Sequence, residues 1–339
     1  MKLPDILENL IESEVLKHKI NNLKEYSHNL SNKYMNANRT GKSLLSEDEE
    51  AIAYSVIRMP ATFGAIKTAL DKILENNSDL VIKSLLDIGA GTGAGSWAAN
   101  EVLNLEDIIC VERENAMSKF GMKFMANSNS ALKNAEWINI DILKDDIQKN
   151  ADLVIVSYMI NELREEDRNI IFEKLLNMTN KILLIVEPGT PEGFKNIKKI
   201  RKEAIKKKLN IIAPCTHYGE CRLPEGDWCS SSVRVQRNKI HKLLKSGDVP
   251  FEDEKFSYIA ISKVETNQAY ARILRHPIIQ SKIIKLKLCT EKGIDEIIVT
   301  KKYSQIYKET KKKNIGDSMD EKINELIKLK NLKKGIDNG

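Results

Sequence analysis

Three of the chain's five cysteines, Cys215, Cys221 and Cys229, stand within fifteen residues in the stretch PCTHYGECRLPEGDWCSS, residues 214–231. Five and seven residues intervene between them, and 59 more separate Cys229 from Cys289. Thiolates bind soft or borderline metals, and four of them satisfy tetrahedral Zn²⁺ or one corner each of a [4Fe-4S] cube. Zinc ribbons take two ligands from a tight CxxC knuckle, and this chain has none. Wider spacing suits a cluster whose iron atoms lie apart and whose ligands approach from separate loops, so spacing favours iron-sulfur and leaves zinc open. It does not match the CxxxCxxC run of radical enzymes. His217 reads more simply as a loop histidine than as a ligand, and Cys110, inside an apolar run, as a small buried hydrophobe. For Cys289 the residues alone leave a core thiol and a ligand as equal readings.

A second constellation is LLDIGAGTGAGSWAA, residues 85–99, where an apolar run meets a helical pattern. Gly89, Gly91 and Gly93 allow a tight turn and close approach of backbone to ligand, and Asp87 can orient that turn. Dinucleotide and S-adenosylmethionine sites share this geometry, so the downstream acids decide. Glu112 ends the next apolar run, 19 residues after Gly93, placed to accept from ribose hydroxyls. Asp141 ends the run after that, where an acid can receive an adenine amino group. This succession resembles the seven-stranded S-adenosylmethionine-dependent methyltransferase pattern more than a dehydrogenase. Catalysis has weaker support. SYMINEL, residues 157–163, lacks the Asn/Asp-Pro-Pro-aromatic motif of amino-methyltransferases, and Pro214-Cys215 is in the wrong region for a cytosine C5 nucleophile. Asn161 and Glu162 face the expected pocket mouth, or serve only as strand-end hydrogen-bonders.

The elements that must position these residues follow from hydrophobic pattern. Residues 1–80 read as a helical region with a break at Pro60. From residue 83, SLLDIGAG, DIICVERE, AEWINID, DLVIVSYM and KILLIVEPG are short apolar runs separated by helix-length polar segments, which predicts a parallel sheet covered on both faces. This gives an α/β, Rossmann-like methyltransferase fold with an N-terminal helical extension. The expected division is a methyltransferase-like domain at 81–265, including a basic cysteine-bearing insertion at 195–250, a small β-unit at 266–310 with a turn at Glu291-Lys292-Gly293, and a Lys-rich, helix-patterned tail at 311–339. At 339 residues the chain is long enough for a sizeable core. No run approaches the roughly 20 apolar residues of a membrane span. The opening MKLPDILENLIESEV mixes charges into its apolar positions, unlike a signal peptide. These features predict a reducing compartment, the cytoplasm or an organelle matrix, where five cysteines are not structural disulfides. The formal charge is +6, and residues 195–245 carry 14 Lys/Arg against 4 Asp/Glu. That is either a solvated face or a footprint for RNA phosphates.

Five stretches, RMPATFGAI (58–66), the glycine block (85–99), IVEPGTPEGF (185–194), APCTHYGECRLPEGDWCSSSVRVQR (213–237) and PFEDEKFSYIAIS (250–262), together resemble the methyltransferase-like family of small-ribosomal-subunit assembly factors. The resemblance runs from about residue 50 to 310. It implies a [4Fe-4S] cluster on Cys215, Cys221, Cys229 and Cys289, and S-adenosyl-L-methionine on the motif from Asp87 to Gly93. It also implies association with small-subunit rRNA in an assembling subunit, in the mitochondrial matrix if the source is eukaryotic. Such a protein is expected to be monomeric off the ribosome and to need no membrane. The alternatives are a catalytically active rRNA methyltransferase and a zinc-stabilised methyltransferase acting on protein or a small molecule.

Overall fold

A computed structural model describes residues 1–36 and 47–327. The chain begins with four helices, α1 (Asp5–Val15), α2 (Ile20–Asn36), α3 (Asp48–Ile57) and α4 (Met59–Leu74). Pro60 sits in the first turn of α4, where its missing N–H has no intrahelical acceptor to lose. Strands and helices then alternate: β1 (Ser84–Ile88), α5 (Ala94–Asn100), β2 (Asp107–Val111), α6 (Asn115–Met125), β3 (Glu136–Ile138), β4 (Ala151–Ser157), α7 (Glu165–Met178), β5 (Thr179–Pro188), α8 (Pro191–Lys206) and β6 (Asn210–Ala213). After the cysteine stretch come β7 (Ser231–Gln236), α9 (Lys239–Leu244) and the long β8 (Phe251–Ser262).

The strand order is β3-β2-β1-β4-β5-β8-β6. The first five strands are mutually parallel, whereas β8 runs antiparallel to both β5 and β6. This is the seven-stranded methyltransferase sheet, Rossmann-like in its parallel half. Period-2 alternation sends Leu85, Leu153, Leu184 and Ala260 to one face and Leu86, Val154, Leu183 and Ile261 to the other. The N-terminal helices, α5 and α6 cover the first face, and α7 and α8 cover the second. The described parts of α1 to α4 therefore share one continuous core with the sheet.

Two features depart from the sequence expectation. The sheet has an eighth strand, because β7 pairs with the first half of β8; Phe256 is matched to Pro188 on one edge and Ser231 on the other. The segment expected as an insertion from residue 195 begins later, since α8 and β6 belong to the sheet's own crossover. What is inserted runs from Pro214, with the cysteine loop lodged between β6 and β7 along one edge of β8.

A second sheet of five strands follows: β9 (Ala271–Ile273), β10 (Ile278–Ile279), β11 (Ile283–Thr290), β12 (Gly293–Thr300) and β13 (Ser318–Met319), with α10 (Ser304–Thr310) between the last two. β11 and β12 form a hairpin that turns at Glu291-Lys292. Because β13 pairs with β9, and Met319, Ile323, Leu326 and Ile327 pack into this unit's core, the small unit continues past residue 310. The expected helix of the tail lies partly outside the described residues. Among the described residues no helix is long and apolar enough to cross a membrane.

Candidate functional site

The glycine turn leaves β1 with Gly91 at φ +59° and Gly93 at φ +88°, a region that side chains with a Cβ enter only at a cost. Glu112, at the end of β2, is buried and accepts from the N–H of Gly91 at 2.8 Å and of Glu114 at 2.9 Å. A carboxylate has about four lone-pair sites, so Glu112 keeps acceptor capacity. Gly89 packs on Met159, and Tyr54 of α3 and Met117 of α6 stand against Gly91. Asp87 lies beneath the turn, 1% exposed, and one oxygen accepts from both the N–H and the Oγ of Ser96 at 2.8 Å. Burial pushes its carboxyl up to about 6. Its place is structural: it holds the turn to α5. Asp141 lies three residues beyond the end of β3, and its side chain accepts from the N–H of Leu143 at 3.1 Å.

Beside the turn, three of the distinctive sequence stretches meet. Tyr158, directly after β4, has φ +57° and donates its hydroxyl to Glu254 of β8 at 2.8 Å. Arg58, between α3 and α4, pairs with Glu254 at 3.3 Å and lies over the Tyr158 ring at 5.5 Å. No spacing in the sequence marks Arg58, Tyr158 and Glu254 as neighbours, a proximity that only the meeting of α4, β4 and β8 brings about. Nearby, Glu187 at the end of β5 is fully buried and accepts from the N–H of Ile160 at 3.1 Å, with the Asn196 side chain also against its carboxylate. Burial raises Glu187 to about 8 and Glu162 to about 7. Asn161 faces Asn196 of α8 at 3.4 Å.

The four cysteines implied as ligands line a single recess, with about 750 Å³ of atom-free space including its mouth. Its walls are α8, the cysteine loop, β8, β9 and β11. Cys289 arrives on β11, and its sulfur accepts from the Thr216 hydroxyl at 3.7 Å. Ties from loop to hairpin hold this wall in place: Asp227 pairs with Arg275 and Lys287, and Arg222 donates to the carbonyl of Lys292. Trp228 donates to the Gly189 carbonyl at 3.0 Å, and Ser257 to that of Cys229 at 2.7 Å. Burial pushes the thiols of Cys215, Cys229 and Cys289 up, the last to about 11, and neighbouring thiols push them further. Among the described residues no three His, Cys, Asp or Glu side chains converge on one metal-ion position. The thiols are spread around the recess. His217, which lines it too, receives Arg201 at its carbonyl. Cys110 is remote from the recess, in β2, with its sulfur 3.3 Å from Ser96 Oγ.

Of the 14 Lys/Arg in the expected phosphate footprint at 195–245, half pair with carboxylates among the described residues, Lys195 with Glu192 among them. The others so paired are Lys199, Lys206, Lys207, Arg234, Arg237 and Lys245.

The sheet order defines the class, a methyltransferase-like α/β protein. Over residues 48–320 the chain matches the family described as mitochondrial small ribosomal subunit Rsm22, and it belongs to that family. It is 24% identical over 259 residues to the human ribosome assembly protein METTL17, mitochondrial, covering 72% of this chain and 56% of the human protein. It is 25% identical over 194 residues to the Rsm22-cox11 tandem protein 2, mitochondrial, of Schizosaccharomyces pombe, covering 51% of this chain and 26% of that protein. The chain thus spans about half the length of one curated relative and a quarter of the other. Similar solved structures include magnesium protoporphyrin IX methyltransferase from Synechocystis with bound SAM (9% identity, 67% of this chain and 88% of that one, TM-score 0.39). Another is the N-methyltransferase NodS from Bradyrhizobium japonicum with S-adenosyl-L-homocysteine (11% identity, 71% and 99%, TM-score 0.39).

Proposed function

We propose that this chain is an S-adenosylmethionine-binding, iron-sulfur, methyltransferase-like protein that binds small-subunit rRNA and assists assembly of the small ribosomal subunit. The observation that carries the reading is the arrival of Cys215, Cys221, Cys229 and Cys289 at one recess from two distant parts of the chain. The donor set is of the kind a [4Fe-4S] cluster takes: four thiols that line one recess, near enough to one another to push up those of Cys215, Cys229 and Cys289. A cluster held there would supply a covalent tie between the cysteine loop and the small sheet, and a centre able to take up an electron. Asp87, Gly89, Gly91, Gly93, Glu112 and Asp141 are assigned to S-adenosylmethionine. The glycines give backbone access, Glu112 has spare acceptor capacity, Asp87 holds the turn and Asp141 is the adenine-side acid.

For RNA, support lies on the small sheet. Register sets Lys285 between Ile278 and Ile298, all three exposed, and Lys282, Lys301 and Lys302 stand at one end of the same strands. None of these four lysines has an ion pair among the described residues. Phosphates would be met there. The names of the human and fission yeast relatives place those proteins in mitochondria. By the same reading this chain acts in the mitochondrial matrix of a eukaryote, or in the cytoplasm of a bacterium, as a monomer off the ribosome.

The test is anaerobic purification with iron, sulfide and zinc analysis, followed by crosslinking to rRNA with and without Cys229→Ser. Brown protein with four irons per chain and crosslinks lost in the variant is expected. Colourless protein with stoichiometric zinc, or unchanged crosslinking, overturns it. A second reading, an active rRNA methyltransferase, is favoured by Glu162, a half-buried carboxyl raised to about 7 beyond β4, where general-base chemistry would want one. An rRNA methyl mark restored by wild type but not by Gly91→Arg would establish it; restored assembly without such a mark removes it.

A further inference from the structure

The largest fully buried side chain among the described residues is an arginine, Arg272 of β9. Its Nε donates to the Pro214 carbonyl at 3.0 Å and its Nη1 to the Gly316 carbonyl at 3.0 Å, while Nη2 has no hydrogen-bond partner among the described residues. Arg201 of α8, 6% exposed, donates from Nε to the sulfur of Cys215 at 3.2 Å and from Nη2 to the carbonyls of His217 (2.9 Å) and Gly219 (2.7 Å). Among the described residues neither guanidinium has a carboxylate partner. Both line the four-cysteine recess. Burying one cation without a counter-charge is costly, and leaving one of its donors unused costs more.

An anion of matching charge would remove both costs. Four thiolates around a [4Fe-4S]²⁺ core, or around Zn²⁺, are doubly negative in sum, and the recess walls hold two cations. We infer that Arg201 and Arg272 are the counter-charges of a dianionic four-cysteine centre, with the free Nη2 of Arg272 donating to one of its sulfurs. This rests on the cluster reading proposed above. Arg201 has a second task in shaping the loop from Cys215 to Cys221, and Arg272 joins that loop to the small sheet. Both are positioning residues, and their charge sets the balance between oxidised and reduced centre, because potentials of such clusters follow net charge and hydrogen bonds to sulfur.

The experiment uses the full chain, purified anaerobically, as wild type, Arg272→Met, Arg272→Lys and Arg201→Met. Iron, sulfide and zinc per chain, circular dichroism and a redox titration are read. Loss of one buried positive charge disfavours the reduced centre. Each Met variant is expected to lower the reduced-to-oxidised ratio at fixed potential by about tenfold, a midpoint about 59 mV lower for one electron. Arg272→Lys keeps the charge and is expected to stay close to wild type. If Arg272→Met does not fold by circular dichroism, Arg201→Met carries the comparison. Unchanged midpoints in folded, fully loaded Met variants overturn this inference and leave the cluster reading standing. A zinc-loaded, colourless wild type removes the cluster reading instead. The counter-charge inference is then read from zinc, which the Met variants should surrender to a chelator more readily than wild type; equal retention sinks it. A wild type holding neither metal sinks both.

Discussion

Replacing Gly95 by alanine sets two effects of opposite sign against each other. Gly95 is the second residue of α5, where alanine favours helix by at most about 1 kcal/mol. The added Cβ, however, would lie 2.7 and 2.8 Å from the two carboxylate oxygens of Asp87, and ordinary contact begins at 3.4 Å. Asp87 must retreat by about 0.7 Å, and the two 2.8 Å bonds it accepts from Ser96 would stretch to the limit of useful hydrogen bonding. Weakening two bonds to a buried acid costs about 1.5–3 kcal/mol, and overpacking costs a similar amount. The expected net loss is about 2–5 kcal/mol, read as a lower urea midpoint with unchanged m-value. Gly247→Ala, whose added Cβ would meet nothing closer than 3.8 Å, is the control and should stay within about 0.5 kcal/mol of wild type. A Gly95→Ala protein as stable as wild type would refute the claim that the floor of the turn is packed to contact.

The carboxyls raised by burial, Asp87 to about 6, Glu162 to about 7 and Glu187 to about 8, outnumber the histidines that burial lowers, His217 and His241, so stability should fall as pH rises from about 5 to about 8. Glu187 is raised to about 8 in the folded protein, so its contribution is full below its unfolded value near 4.5 and is lost as pH rises to about 8. Burial lowers His241 to about 4, so its contribution is full above about 6.5 and is lost as pH falls to about 4. Urea midpoints from about pH 4 to 9 check the fall, and Glu187→Gln should remove the part of it that lies between about pH 7 and 8. Tyr158→Phe removes the hydroxyl that Glu254 accepts and should cost about 1–2 kcal/mol in chemical denaturation, with Arg58 still paired. Replacing Lys282, Lys285, Lys301 and Lys302 by glutamine should weaken rRNA binding and reduce its salt slope by up to about 4 in a filter-binding titration; an unchanged slope would move the contact elsewhere.

Strands β1, β2, β4 and β5 were legible because each is rich in Ile, Leu and Val and bounded by polar segments, as a parallel sheet buried on both faces demands. β6 and β7 were not. Asn210–Ala213 is too short to show a period, and SSVRVQ shows only Val233 and Val235 among polar neighbours, because β7 buries one face at the sheet's edge. The glycine turn and Glu112 could be read from spacing, since chain geometry fixes the distance from one strand end to the next. Asp141 was placed at a strand end, but β3 stops earlier and the acid caps its own turn. The cysteines were legible as residue types. Their meeting depends on β9 and β11 docking beside β8, a long-range contact that no local pattern encodes. Arg201 and Arg272 were indistinguishable from surface cations because burial has no signature in a single charged residue.

Cys289 sits on β11, sixty residues after Cys229, and its strand is paired on both sides within the small sheet. A chain made from its N-terminus exposes three thiols well before the fourth exists, and the last wall of the recess cannot form until the β11–β12 hairpin has closed. If the recess holds the cluster proposed above, loading would be a late event in the life of a nascent chain, and a product truncated before residue 283 would carry three of the four thiols with no means of completing the set.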